Sequence, residues 1–315
     1  MLGVAERDGT RPRLGFIGAG TTGSAFARCL ADAGYPVVAV ASRSAASAER
    51  LAERLNGCRA VENAQAVADM ADLVFITTPD DAIASVAAQV QWRPGVWVVH
   101  VSGAESLDVL EPARCAGASV GSIHPLQTFA DSEHAVAAMP GSTFALEGEG
   151  ALLECLREMV AALRGRAVEL RLQDKALYHA AAVLVSNYVV TLMDMATRLW
   201  QQFGADPDST AQALLPLLQG TVDNLRRLGL PDALTGPIAR GDVGTVQRHL
   251  VALEATAPNL LPAYRELGLQ TIPVAAALNK RRAALGRSGG LDQQQAEELR
   301  ALLATGAVAA GTPIA

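Results

Sequence analysis

Aromatic side chains make up only 4% of the 315 residues, which leaves few platforms on which nucleic-acid bases could stack. An excess of positive charge is missing as well. Lys and Arg number 26 against 32 Asp and Glu, a net charge of −6, so there is no basic footprint for a phosphodiester backbone. These two absences exclude nucleic acid as an expected partner. The four cysteines, Cys29, Cys58, Cys115 and Cys155, form no CxxC pair and have no histidine cluster beside them. Neither a disulfide framework nor a metal site is therefore expected. The N-terminal MLGVAERDGTRPR is charged and lacks the apolar centre of a signal peptide. The one stretch that mimics a membrane span, Ala176 to Trp200, carries His179, Ser186, Asn187, Asp194 and Arg198. Those groups are expensive in lipid, and the stretch reads as a buried helix of a soluble, cytoplasmic protein.

What is present in abundance is apolar sequence and glycine. Half of the chain is hydrophobic and 28 residues are glycine, enough for a large core and more than one domain. The organising stretch is LGFIGAGTTGSAFARCLADAG, Leu14 to Gly34, in which an apolar run breaks into Gly18-Ala19-Gly20-Thr21-Thr22-Gly23 and then turns helical. A strand that turns tightly into a helix makes an anion site from free backbone N–H groups and the helix dipole. Gly18 would permit the turn, Gly20 the approach of a pyrophosphate, and Gly23 close packing of helix on sheet. The apolar run Val37 to Ala41 completes a β-α-β unit.

Further buried runs follow at Leu73 to Thr77, Trp97 to Val101 and Ser119 to Ile123, separated by helical segments. Ser142 to Glu147 and Arg166 to Leu170 extend the series, with a helix at Ala151 to Leu163 between them. This alternation predicts an α/β fold of the Rossmann type, a doubly wound, mainly parallel sheet covered on both faces. Ligands of such sheets bind outside the carboxyl ends of the strands. Thr77, Thr78, Pro79, His100, Ser102 and His124 all fall at those ends, on one rim with the glycine loop. Thr77, Thr78, Pro79 and Ser102 are read as cofactor contacts, and His100 as either a substrate contact or a satisfied core histidine.

From Asp174 onward the pattern becomes helical: Lys175 to about Phe203, Ser209 to Leu228, Val243 to Glu254, Ala257 to Leu267 and Val274 to Leu285. Helices of that length must bury their apolar stripes against one another. The expected organisation is a cofactor domain over 1–172, a helical domain over 173–288, and a last helix with a loose tail from Gly306 over 289–315. Arg287-Ser288-Gly289-Gly290 serves as the linker.

The choice of dinucleotide is read from Ala41-Ser42-Arg43-Ser44. NAD sites place an acid after the second strand to accept from the adenosine ribose, and none is present here. Arg43 can pair with a 2′-phosphate, flanked by the hydroxyls of Ser42 and Ser44, so NADP is favoured over NAD. Hydride transfer also needs a proton donor or fixed positive charge at the substrate heteroatom. The candidates are Lys175, His179, His124 and Asn187. On one helix His179 lies about 40° and Ser186 about 20° from Lys175, so the three share a face, with Asn187 at its edge. Such a face either lines a polar cleft, the reading preferred, or carries an internal network. In the loop Leu234 to Asp242, Arg240 either clamps a substrate carboxylate or pairs with Asp242.

GFIGAGTTG, TTPDDAI, HVSG, GSIHPLQTF, LYHAAAVLVSNY and TGPIARGD together resemble a bacterial family that joins a Rossmann-like domain to a helical domain of unknown function. Its members are labelled NADP-dependent or deazaflavin-linked oxidoreductases. The wider two-domain plan is similar to that of ketopantoate reductase, pyrroline-5-carboxylate reductase, prephenate dehydrogenase and the β-hydroxyacid dehydrogenases. In the last group a lysine near the start of the long helix and an asparagine four residues on hold the substrate oxygen. Lys175 matches the lysine, but His179 stands in the place of the asparagine. His124-Pro125 looks like the His-Pro of prephenate dehydrogenases. The resemblance implies a homodimer through the helical domain. The residues and the resemblance together give the expectation of an NADP(H)-dependent reductase of a small, carboxylate-bearing carbonyl or imine, and the polar groups within Ala176 to Trp200 that of no membrane partner. The alternative is a regulatory or sensor protein that binds NADP without turnover.

Overall fold

Leu14–Ile17 (β1), Val37–Ala41 (β2) and Leu73–Ile76 (β4) contain only apolar residues and glycine, and all three are buried almost throughout. Strands hidden on both faces have this composition because neither face meets water. The computed structural model describes residues 11–171 and 173–304. The expected loose tail from Gly306 lies outside them.

The remaining strands are Arg59–Ala60 (β3), Trp97–His100 (β5), Ser119–Pro125 (β6), Thr143–Glu147 (β7) and Arg166–Glu169 (β8). They form one eight-stranded sheet in the order β3-β2-β1-β4-β5-β6-β7-β8. Every neighbouring pair is parallel except β6 with β7, which is antiparallel. The strand that sequence reasoning missed, β3, has two residues, both exposed, and therefore no apolar signal.

One face of the sheet carries Thr21–Asp32 (α1), Ala45–Ala52 (α2), Ser132–Ala138 (α6) and Gly150–Ala162 (α7), whose buried side chains share a core with β1, β2 and β7. The other face carries Ala64–Met70 (α3), Asp80–Gln89 (α4) and Glu111–Cys115 (α5). The few aromatics are concentrated in the first core. Phe16 stacks on Phe75 with centroids 4.8 Å apart, and Phe26 of α1 packs against both Phe75 and Phe144. The short helices α3 and α6 were not expected. Their signal is the N-cap: Asn63 accepts from Ala66 N at 2.9 Å and Asp131 from His134 N at 2.8 Å.

The chain divides into two compact units between Asn187 and Tyr188. Lys175–Val185 (α8) thus belongs with the sheet, whereas the sequence reading began the helical domain at residue 173. The second unit contains Asn187–Gln201 (α9, from its second residue), Pro207–Leu228 (α10), Pro237–Arg240 (α11), Val243–Thr256 (α12), Leu261–Ala284 (α13) and Gln293–Ala304 (α14). Its core is built from α11, α12, α13 and α14, with Val246, Leu250, Ile272 and Leu299 fully buried. The last helix is therefore part of this core rather than an appendage.

Three helical expectations are corrected. The two helices read at Ala257 to Leu267 and Val274 to Leu285 are one, α13, which runs through Pro273. Proline removes one helical hydrogen bond, but burial of Ile272, Ala275 and Leu278 on either side holds the segment helical. The helix read as continuous from Lys175 to about Phe203 is interrupted at Ser186, whose backbone (φ −119°, ψ −76°) leaves helical geometry between α8 and α9. Nor is the apolar part of that stretch buried. Lys175–Gln201 is long and apolar enough to cross a membrane by length and composition, with a mean hydropathy of 1.5 in its most apolar window, yet none of that window is buried.

Candidate functional site

At the carboxyl end of β1 the three glycines of the loop differ in their surroundings. Gly18 has φ +117°, and a Cβ there would lie 2.7 Å from the backbone of Thr77. A Cβ on Gly23 would lie 2.4 Å from Thr77 Oγ1 and 2.5 Å from Gly18 O. Around Gly20 there is open space, with nothing within 4 Å. The loop is thus closed on its inner side and open at its tip, as a cradle for a ligand phosphate requires. Helix α1 begins at that tip with no capping side chain and no acid in its first turn, which leaves the N–H groups around Thr21 and Thr22 available to an anion. These features fit the diphosphate of a dinucleotide.

Thr77 plays a different part from the one expected. Its buried hydroxyl donates to Gly18 O at 2.7 Å and so ties the end of β4 to the loop. Thr78 Oγ1, by contrast, is buried without a hydrogen-bond partner and is the hydroxyl of the pair free to meet a ligand. Pro79 precedes the first residue of α4. Ser102 Oγ donates to Asp80 Oδ2 at 2.7 Å and accepts from Ala104 N and Glu105 N. Its side chain holds the β5 loop to α4, so only its backbone remains for a cofactor. After β2, Arg43 and Ser44 are exposed and Ser42 is half-buried.

A second cluster lies on the same rim, at the ends of β5 and β6 and along α8. His124 Nδ1 is 2.7 Å from Tyr178 Oη, and the His124 and His179 rings are 6.3 Å apart. Gly103, in the loop after β5, lies against both imidazoles. A Cβ there would be 2.7 Å from His124 Nε2 and 2.9 Å from His179 Nδ1. Behind these rings Lys175 is buried and donates to Ser122 Oγ at 2.8 Å and to Glu147 Oε2. Ser122 Oγ donates to the same carboxylate oxygen at 2.6 Å. The β6–β7 register sets Ser122 opposite Glu147 and so brings the two under Lys175.

The electrostatics follow from burial. His124 is pushed down to about 4, first by burial and then by the charges of Lys175 and His179, with Asp80 opposing. His100, fully buried at the end of β5, is pushed down to about 3 by burial and then Lys175. Both rings are neutral at pH 7. Burial raises Tyr178 to about 12, so its phenol stays protonated. Burial also lowers Lys175, against the stabilising hydrogen bond and charge of Glu147.

The sequence-predicted residues are therefore only partly brought together. His124 and His179 converge, with His100 on the neighbouring strand. Lys175 does not line a cleft, which corrects that preference: its ammonium is spent in an internal network because Glu147 and Ser122 lie directly beneath it. The shared-face argument for Ser186 fails, since the helix breaks there, and Ser186 is half-buried with its N–H on Ala182 O at 3.0 Å. Asn187 is exposed at the start of α9. Arg240 ends α11 in the second unit, and Asp242 is occupied as the N-cap of α12, accepting from Thr245 N and Oγ1. The side chains of the candidate site that the sequence reading missed were Tyr178, Glu147, Ser122 and Asp80, together with Gly103. A lone glutamate ending the apolar run TFALE, and a tyrosine adjoining His179, were the available signals.

Residues 4–125 match the model of a Rossmann-like domain, and residues 142–271 match that of a domain of unknown function, DUF2520. The second match starts at β7 and so takes in Glu147 and Lys175 as well as most of the helical unit. No curated protein matches the chain. Among solved structures, a protein of Thermotoga maritima is 26% identical, with a TM-score of 0.68 over 87% of this chain and 100% of its own. A Bacteroides fragilis protein assigned as an NADP oxidoreductase is 23% identical, with a TM-score of 0.64 over 86% of this chain and 98% of its own. A reductive aminase from Aspergillus terreus, in complex with NADPH and ethyl-5-oxohexanoate, is 21% identical, with a TM-score of 0.58 over 91% and 98%.

Proposed function

We propose that this chain, which joins a Rossmann-like domain to a DUF2520 domain, is an NADP(H)-dependent oxidoreductase that reduces a small, carboxylate-bearing carbonyl or imine. The observation that carries this reading is the pairing, on one rim of the sheet, of a glycine cradle open at Gly20 with a neutral His124 bonded to Tyr178. The NADPH in the Aspergillus reductive aminase and the assignment of the Bacteroides protein support the cofactor. When bound, NADPH supplies the hydride to the substrate carbon.

The chain supplies the proton. Tyr178 Oη holds it in a site where burial keeps the phenol protonated, and donates it to the oxygen or nitrogen that the hydride leaves negative. His124 Nδ1 then returns a proton to Tyr178 while Nε2 takes one up. Burial, reinforced by the buried Lys175 ammonium, keeps His124 neutral, and Lys175 acts as a positioning residue rather than the donor. His179, with Nδ1 buried and without a partner, faces the same space beside Gly103. Asn187 remains a candidate for holding the substrate.

A homodimer formed through the helical unit and a cytoplasmic location belong to the same proposal. The dimer is supported by the apolar face that α9 and α10 leave uncovered, where Val190, Phe203 and Leu217 are each about 70% exposed.

The test is to incubate the protein with NADPH and a panel of 2-oxo acids, aldehydes and cyclic imines while following cofactor absorbance. Turnover is expected on at least one class, lowered on the order of 100-fold in Tyr178→Phe with NADPH affinity unchanged. Tight NADPH binding without turnover would move the assignment to a dinucleotide sensor, a reading favoured by the one feature that Lys175 is locked away. A protein that binds no dinucleotide would sink both.

A further inference from the structure

Beside the glycine cradle, on the outer side of the sheet unit, a cleft of about 340 Å³ opens between α1, α2 and α6. Gly20 and Thr21 line one end, and the side chains facing it include Arg28 from α1, Ser47 and Arg50 from α2, and Arg54 just after α2. No acid lines it. Three guanidiniums around one small cleft repel each other unless an anion is present, and the fold answers two of them. Glu133, in the first turn of α6, accepts from Arg28 Nη1 at 2.7 Å and Nη2 at 3.2 Å, and from Arg54 Nη1 at 2.5 Å. That carboxylate is pushed down to about 2, by its hydrogen bond from Arg28 first and from Arg54 second. Arg50 is left with Ser47 Oγ, a neutral partner, at 3.0 Å, and Ser47 in turn donates to Ser44 Oγ at 3.1 Å. Three positive charges against one negative leave the cleft with two in excess.

A dinucleotide whose diphosphate sat on the cradle would send its adenosine half towards the carboxyl end of β2, and α2 begins there at Ala45. We propose that the phosphate on the adenosine ribose is taken by Arg50 and Ser47 of α2, at the mouth of this cleft. Glu133 is the internal anion that limits how strongly the cleft draws it. Specificity for the phosphorylated cofactor then resides one and a half turns into α2 as well as at Arg43. The inference rests on the dinucleotide reading above.

The experiment is a fluorescence titration of the whole protein with NADPH and, separately, NADH, at low salt and again at about 0.5 M salt, where screening weakens exposed charge pairs. Arg50→Ala is expected to weaken NADPH about 10-fold, the scale of one lost charge-assisted bond, and to leave NADH within twofold. Arg50→Lys recovers part of the loss. Glu133→Gln is expected to tighten NADPH severalfold at low salt and not at high salt, with melting curves checking that each variant is folded. An unchanged NADPH-to-NADH ratio in Arg50→Ala overturns the proposal. Equal weakening of both cofactors also overturns it, because it assigns Arg50 to the diphosphate. Unaltered NADPH affinity in Glu133→Gln overturns the part given to Glu133. A native protein that binds neither dinucleotide would refute the dinucleotide reading itself, and this inference with it.

Discussion

Lys175 and Glu147 are 3% and 2% exposed, and their attraction has to offset the loss of water around two charges. Removing one partner of such a pair leaves the other charge buried alone, which costs about 3–5 kcal/mol, whereas replacing both by apolar groups is often nearly neutral. Glu147→Gln is therefore expected to lower unfolding free energy in urea by about 3 kcal/mol or more. The double variant Lys175→Met, Glu147→Leu should recover most of that stability, although Ser122 then loses both partners. The double variant should also let His124 titrate at a somewhat higher pH, because the Lys175 charge, which lowers it after burial, is gone, and NMR of the imidazole protons would follow this. If the single change costs nothing, the pair is hydrated and Lys175 returns as a candidate proton donor.

Among the elements, α9 and α10 are the least reconciled with a single chain. Helix α9 has no buried residue in its fifteen, and α10 buries only Thr210 in twenty-two. Their composition is not that of solvated helices. Val190, Leu192, Leu215 and Leu217 are large, apolar and exposed, and helices of this kind need a partner surface. Light scattering at micromolar concentration is expected to give twice the chain mass. Val190→Arg with Leu217→Arg should give the single-chain mass, with the sheet unit's NADPH binding retained. A native monomer would remove the proposed dimer and leave the apolar face to be explained by another surface, the α8–α9 stretch having the length and composition of a membrane span.

At the scale of the whole molecule, the buried histidines tie stability to pH. In the unfolded chain a histidine titrates near 6.5, whereas in the fold His124 and His100 lie at about 4 and about 3. Between those values the unfolded state binds more protons, so stability falls as pH falls, beginning near 6.5 and continuing to about 4 for His124 and about 3 for His100. Each buried ring can contribute a slope of up to about 1.4 kcal/mol per pH unit. Urea midpoints are expected to be flat from pH 7 to 8 and to drop steeply between pH 6 and 4. His124→Gln should make that drop shallower. A flat profile down to pH 4.5 would mean that both rings protonate in the folded state.

Much of the sheet unit follows from local pattern alone. Short continuous β-branched runs between helical segments read as strands hidden on both faces, and the spacing of the glycines at 18, 20 and 23 marks a turn in which Gly18 has positive φ, Gly20 has open space around it and Gly23 is tightly packed. The candidate cluster around His124 was less legible because it depends on pairings between residues distant in sequence. Ser122 meets Glu147 through an antiparallel register, Lys175 descends onto both from another element, and Tyr178 meets His124 across 54 positions. Helical periodicity placed Lys175 on a face but could not say what lay beneath it. By itself the sequence determined seven of the eight strands, the loop and the class of cofactor fold, since those rest on short-range sterics and hydrophobic burial. Only the tertiary structure decided which polar side chains are spent on one another and which are left for a ligand, because that depends on partners brought together by the sheet.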